Sequence, residues 1–178
     1  AGANARALGY ADPVRFHLGD ALTLPLPPAD ATFTDPGRRA GDRRFLDPDQ
    51  YQPPLSDLLA RFPAGFPFAA KIAPGVPRDA LTRFDAEAEF VSVDGELKEC
   101  VLWFGPLRTA ARRATVLPGP HTLAADADDE LPYAEPIGEY LFDPDASVIR
   151  ADLVGVLAAR LGAVPVEPGV ALLTGPTA

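Results

Sequence analysis

The sequence predicts an α/β chain, in which strand–helix units feeding a parallel sheet are followed by a smaller α+β part. Three observations predict it. Short apolar runs alternate with helically spaced segments over residues 1–84; an Asp-Gly pair separates two long runs at 87–93 and 96–104; and a helical pattern follows further on.

Residues 1–8 read as the end of a helix with Gly9 as its C-terminal cap. Residues 14–17, where Val14 and Phe16 alternate with Arg15 and His17, read as a strand leading to Gly19 and Asp20. Residues 31–34 read as a second strand, stopping at Asp35-Pro36. Pro53-Pro54 opens a helix over 55–62, residues 66–72 form a buried-strand candidate that stops at Ala73-Pro74-Gly75, and 77–84 fits a short helix. In such alternation, functional groups collect at the carboxyl ends of strands, where Asp20, Asp35 and Ala73-Pro74-Gly75 all fall.

The pattern changes near residue 85, which places a domain boundary there and divides the chain into 1–84 and 85–178. Asp94-Gly95 is a type I′ hairpin signal. Residues 114–117 and 139–142 are further strand candidates, with 121–135 an acidic loop between them. One helix follows: Asp145 can cap it, Ile149, Leu153, Leu157 and Leu161 share a face, and Gly162 stops it. The chain finishes on a strand-like run at 170–173, and both ends read as cut from something longer.

Composition bounds the function. In 178 residues, 47% hydrophobic and 23% charged side chains suffice for a sizeable core, and the 21 prolines, most of them single, read as loop punctuation. A net charge of -9 gives no general attraction to nucleic acid or anionic membranes, so any such contact must come from local arginine clusters. The single Cys excludes an internal disulfide framework and leaves no cysteine set for zinc; no metal is expected. No apolar run is long enough to cross a membrane and no signal peptide opens the chain, which predicts a reducing, cytoplasmic setting. The oligomeric state is left open.

Asp35-Pro36-Gly37-Arg38-Arg39 is the most informative segment. An acid after an apolar strand, then Pro and Gly, fixes a carboxylate on a sharp loop where a ligand can approach the backbone. Arg38 and Arg39, extended by Arg43 and Arg44, supply cationic forks suited to phosphate or carboxylate. The competing reading is a surface turn with solvated charges, since Asp-Pro recurs at Asp12, Asp47 and Asp143. Lys71 either faces this crevice or carries its ammonium to solvent. His17, His121 and Trp103 read as structural and Cys100 as core. Arg108, Arg112 and Arg113 either contact phosphate or pair across strands with Glu87, Glu89, Glu96 and Glu99. The acidic run at 126–130 reads as a solvated loop.

The order Asn4-Ala5…Leu8-Gly9, Gly19-Asp20, Asp35-Pro36-Gly37-Arg38-Arg39 and then Lys71 to Gly75 resembles class I S-adenosylmethionine (SAM)-dependent methyltransferases over residues 1–84. The resemblance implies the C-terminal half of a Rossmann-like sheet. Asp20 would contact the cofactor's adenine, Asp35 and Pro36 would lie beside its methyl group, and Arg38, Arg39, Arg43, Arg44 and Lys71 would face the substrate. In the second half, Glu89-Phe90-Val91-Ser92, Gly95-Glu96-Leu97-Lys98-Glu99, Val101-Leu102-Trp103 and Asp143-Pro144-Asp145-Ala146…Ile149-Arg150 resemble a bacterial THUMP-like α+β domain.

Departures sharpen the expectation. The family's Gly-rich loop after the first strand and its acid after the second are missing, so these residues alone would hold part of a cofactor site and bind SAM weakly or not at all. Amino-group enzymes of the family often carry an aromatic two residues after the Pro, where this chain has Arg38. Uracil-C5 enzymes need a Cys after the fifth strand, where it has Ala73-Pro74-Gly75. Direct displacement remains, with Asp35 or backbone carbonyls orienting the nucleophile. The expected function is methyl transfer to RNA, such as tRNA or rRNA. The rivals are a non-catalytic RNA- or protein-binding module and a small-molecule methyltransferase with a closed apolar pocket near Pro36.

Overall fold

A computed structural model describes residues 2–10, 12–119, 121–127, 132–133 and 137–176. Its first half runs α1 (Gly2–Ala7), β1 (Thr32–Thr34), β2 (Arg39–Ala40), β3 (Arg43–Arg44), α2 (Leu55–Leu59), β4 (Phe68–Ile72) and α3 (Arg78–Leu81). Then come β5 (Glu87–Val93), β6 (Glu96–Phe104), β7 (Arg112–Leu117), β8 (His121–Ala125), β9 (Tyr140–Phe142), α4 (Ala146–Arg150), α5 (Val154–Leu161), β10 (Val164–Pro165) and β11 (Leu173–Gly175).

The mixed α/β class holds. Six strands form one sheet in the order β1-β4-β6-β5-β7-β8. β1 pairs parallel with β4 and β5 parallel with β7, while β6 lies antiparallel between β4 and β5 and β8 closes the far edge antiparallel to β7. Residue 85 falls between α3 and β5, and strands from either side of it share this sheet through the β4–β6 pair. A separate three-stranded sheet has the order β10-β11-β9.

Alternation decides the two faces. Ile72, Cys100, Phe90, Ala114 and Leu123 stand side by side across five strands and belong to one core with Leu55, Leu58, Val76 and Val148. One residue along, Lys71, Val101, Glu89 and Arg113 make the matching row on the opposite, more polar face. β4 is buried at every position except Lys71, as its unbroken apolar run requires. Asp94 and Gly95 link β5 to β6 with φ of 52° and 78°, the two left-handed residues of a type I′ turn. Asp145 caps α4 through Ser147 N (2.8 Å) and also accepts from Ser92 Oγ of β5 (2.7 Å), anchoring the helix on the sheet. Gly162 ends α5 at φ 63°.

Four expectations are corrected. Residues 14–17 are an exposed, irregular segment with Phe16 54% accessible: among the described residues no partner strand offers their alternation a ladder. The stretch read as a loop from 121 begins as β8, because Leu123 buries beside Ala114 on the free edge of β7; residues 128–131 and 134–136, which include most of the acidic run, lie outside the described residues. The single C-terminal helix is two. Asp152 adopts φ 60°, and the turn it makes sends fully buried Leu153 into the core, so Ile149 and Leu161 are left exposed instead of sharing a buried face. The strand-like run at 170–173 pairs later, as β11. No helix among the described residues is long and apolar enough to cross a membrane.

Candidate active site

β1 is three residues long and delivers Asp35 at its carboxyl end. Pro36 is buried behind it, and Gly37 exchanges two backbone hydrogen bonds with Gln52: Gly37 N to Gln52 O at 3.0 Å and Gln52 N to Gly37 O at 2.9 Å. A Cβ at Gly37 would stand 3.2 Å from Gln52 O, so the glycine permits this close approach. The Asp35 carboxylate is 52% exposed and accepts a hydrogen bond from Lys71 Nζ at 3.1 Å. Parallel pairing of β1 with β4 sets this contact, because Thr34 lies opposite Ala70 and the next residues of both strands project to the same side. The Lys71 ammonium also stands 3.7 Å from Glu99 Oε2 of β6. The Lys71 ammonium is thus shared between two carboxylates, from β1's end and from β6.

Tyr51 is the residue sequence reasoning missed. Its ring is buried, its hydroxyl donates to Leu46 O (3.3 Å), and that same oxygen accepts from the buried Ala73 N (3.0 Å). One side chain thus ties the Asp35–Gln52 loop to the loop ending β4. Burial pushes the Tyr51 hydroxyl above its ordinary acidity range, which keeps it protonated for both bonds. A tyrosine following an Asp-Pro-Asp turn was the only signal, and such a signal does not name a partner 22 residues away. Arg83 extends the brace from the end of α3, pairing with Asp47 (2.5 Å) and Asp49 (3.7 Å).

The arginines after Asp35 form a hairpin that the sequence did not announce. β2 pairs with β3 so that Arg39 lies directly opposite Arg44, and Arg43 lies over the Phe45 ring at 5.2 Å. Arg38 is half-buried, the other three are exposed, and among the described residues none of the four forms an ion pair with an acid. Asp20 is exposed and holds its own turn, accepting from Leu22 N at 2.9 Å. Arg61, just past α2, donates to Ala21 O and to Leu24 O (2.8 Å), which fixes this turn beside the helix. No described hydrogen bond or ion pair joins Asp20 to Asp35.

The second arginine cluster is paired. Arg113 meets buried Glu87, Arg108 meets Asp85, and Arg112 reaches both the carbonyl (3.0 Å) and carboxylate (3.4 Å) of Asp152. Glu89 instead accepts from Trp103 Nε1 (2.8 Å) and Thr115 Oγ1 (2.6 Å), which fixes the Trp edge within the sheet, and Glu96 pairs with Lys98. Of the acids expected to meet this cluster, Glu87 does so. Cys100 is fully buried and burial pushes its thiol far up, which fits a core residue and not a nucleophile. His17 and His121 are exposed.

No family model matches the chain. It is similar to two curated proteins of Mycobacterium tuberculosis, from strains CDC 1551 / Oshkosh and ATCC 25618 / H37Rv, each named an uncharacterized S-adenosylmethionine-dependent methyltransferase. The identity is 35% over 145 residues, covering 79% of this chain and 40% of each relative. The chain thus spans about two fifths of the length of the curated relatives it matches. Among solved structures it is similar to a "putative methyltransferase" from Porphyromonas gingivalis W83, with a TM-score of 0.64 and 22% identity over 84% of this chain and 40% of that one. That likeness shows the fold.

Proposed function

We propose that this chain supplies part of the active site of a SAM-dependent methyltransferase acting on RNA, with Asp35 at the reaction centre and transfer by direct displacement. The observation that carries the reading is the Asp35 loop. It is pinned by the Gly37–Gln52 bonds at the end of a parallel strand, with Lys71 3.1 Å from the carboxylate. The names of the 35%-identical relatives support the cofactor.

SAM, when bound, supplies an electrophilic methyl group on a sulfonium centre. The residues present fit their expected parts in holding it and its acceptor. Lys71 engages Asp35 through Oδ2, and a carboxylate accepts at both oxygens, so Asp35 can orient an N–H or O–H nucleophile while its own position stays fixed. Asp20 likewise uses Oδ1 in its turn and has a second oxygen to accept from an adenine amino group. Pro36 shapes the floor beside Asp35. No Gly-x-Gly-x-x-Gly occurs in these 178 residues, so the proposal assigns the methionine end of the cofactor to other segments of the protein. In the same reading residues 85–178 form the THUMP-like part, and the cytoplasm is the setting.

RNA is favoured by the hairpin. Arg39 and Arg44 are directly opposed like charges, an arrangement that costs stability unless an anion lies between or beside them. Four arginines in the segment that follows Asp35 fit a phosphate backbone leading its base to the carboxylate.

The test is transfer of labelled methyl from SAM to total RNA by the intact protein that carries this chain. Asp35→Ala should lower transfer by about 100-fold or more while RNA binding persists. Unchanged transfer removes Asp35 from the reaction centre, and an unsubstituted protein that labels no RNA removes the RNA assignment.

A further inference from the structure

The acids on the polar face of the six-stranded sheet are engaged in different ways. Glu87 is taken up by Arg113 and by the amides of Thr109 and Ala110, and Glu89 by Trp103 Nε1 and Thr115 Oγ1. Glu99 stands on the same face of β6, two residues from Val101, and Val101 lies directly opposite Lys71. Glu99 is therefore the diagonal neighbour of Lys71, a spacing that two long side chains can bridge. Its carboxylate reaches the Lys71 ammonium at 3.7 Å, and among the described residues it meets no other cation.

Lys71 also donates to Asp35 Oδ2 at 3.1 Å, so β1, β4 and β6 bring two carboxylates and one ammonium together on one face. Asp35 and Lys71 alone would make a neutral pair. Glu99 leaves the set of three with one net negative charge. The side chains of Asp35, Lys71 and Glu99 are 52%, 28% and 34% exposed, and ion pairs so open to water add little to the stability of a fold.

We propose that Glu99 is a positioning residue for Asp35 that acts through Lys71, an inference that rests on the reading of Asp35 as the reaction centre. In direct displacement the nucleophile's lone pair bonds the methyl carbon, while the carbon–sulfur bond breaks and its electron pair stays on sulfur. The positive charge passes to the nucleophile, which gives its proton to Asp35 Oδ1, the oxygen that Lys71 does not engage. A carboxylate neutralised by its own ammonium meets that charge poorly. Glu99 draws the ammonium toward β6, which keeps Lys71 from folding over both Asp35 oxygens and holds the cluster net negative where positive charge develops.

Glu99→Gln keeps the shape of the side chain and removes its charge, and the exposure of the pair should leave the fold intact. In the intact protein that carries this chain, it should lower kcat for RNA methylation about tenfold with KM within about twofold, because Glu99 touches no substrate. In a Lys71→Gln background the same change should lower kcat by less than about twofold, since the link to Asp35 is gone. A second readout needs no methyl transfer: the side-chain carboxylate carbon of Asp35, followed by nuclear magnetic resonance at neutral pH in protein with isotope-labelled aspartate. Glu99→Gln should move that signal when Lys71 is present and leave it in place in the Lys71→Gln background. Equal losses of kcat in the two backgrounds, a rise in KM without a fall in kcat, or an Asp35 signal blind to Glu99→Gln would each overturn the proposal. Unchanged transfer by Asp35→Ala would overturn it together with the reading beneath it, whereas failure of the Glu99 arms alone leaves Asp35 at the reaction centre.

Discussion

Glu87 Oε1 accepts a hydrogen bond from Arg113 Nε at 2.5 Å while Glu87 Oε2 accepts from the backbone amides of Thr109 (2.7 Å) and Ala110 (2.9 Å). The carboxylate is 1% exposed. Burial pushes its acidity constant up, but the Thr109 and Ala110 amides and the Arg113 charge outweigh that and hold it below its ordinary value of 4.5. A folded-state value below the unfolded one contributes stability above pH 4.5, and that contribution is lost as pH falls through the lowered folded value. Glu87→Gln should therefore cost about 2 kcal/mol at neutral pH. Urea unfolding at a series of pH values should show the gap between the two proteins closing as the pH drops below 4.5. A gap that stays constant would mean that the charge at Glu87 does not stabilise the fold.

Removing one oxygen from Tyr51 isolates the brace between the two site loops. Tyr51→Phe keeps the buried ring but leaves the Ala73 amide, itself buried, without its acceptor. The expected loss is about 1–3 kcal/mol of unfolding free energy, the cost of an unsatisfied buried donor. Hydrogen exchange should place it locally, with faster exchange at Ala73 and Val76 and little change along β7 and β8.

Gly105 is expected to tolerate no side chain. Its φ is 59°, and a Cβ would stand 2.7 Å from the carbonyl oxygen of Gly65 and 2.9 Å from that of Phe66. Both obstacles are backbone, so they cannot swing aside. Gly105→Ala should destabilise by about 3 kcal/mol or more, well beyond the ~1 kcal/mol of a left-handed conformation alone. A thermal unfolding midpoint within a degree of the parent would show that the chain between α2 and β4 yields easily.

If RNA is the substrate, as proposed, the arginine hairpin sets stability against binding. Arg44→Thr removes one of two directly opposed cations and puts a good strand former in its place, so the fold should gain a few tenths of a kcal/mol. The same change should weaken RNA binding and lower the slope of log affinity against log salt by about one. Weaker binding with an unaltered slope would show that Arg44 touches no phosphate.

Much of this was legible because it is local. Asp35-Pro36-Gly37 announces a sharp turn after a strand by its own residue types, and Asp94-Gly95, Asp145 and Gly162 do the same for a hairpin, a helix start and a helix stop. What was lost depends on partners. Residues 14–17 alternate as well as any strand but find no ladder, whereas β8 became a strand because β7 offered an edge. The break at Asp152 was invisible because an i, i+4 pattern of Ile149, Leu153, Leu157 and Leu161 reads the same whether or not the chain turns midway. The role of Tyr51 lies in one hydrogen bond between loops, and no periodicity encodes that.

The position of β6 has a consequence for how the crevice comes into being. β5 and β6 are joined by a two-residue turn, so their ladder closes with little chain entropy lost and can nucleate the sheet. β4 lies antiparallel to β6, and β1 reaches β4 by a parallel crossover through α2, so both pairings close longer loops than the hairpin does. β1 has three residues and pairs with β4 among the described strands. The Asp35–Lys71 pair spans the β1–β4 junction, which closes the longest of these loops. Its two carriers lie on strands that are far apart in the chain and meet only by tertiary pairing, so the contact depends on the sheet and not on local sequence.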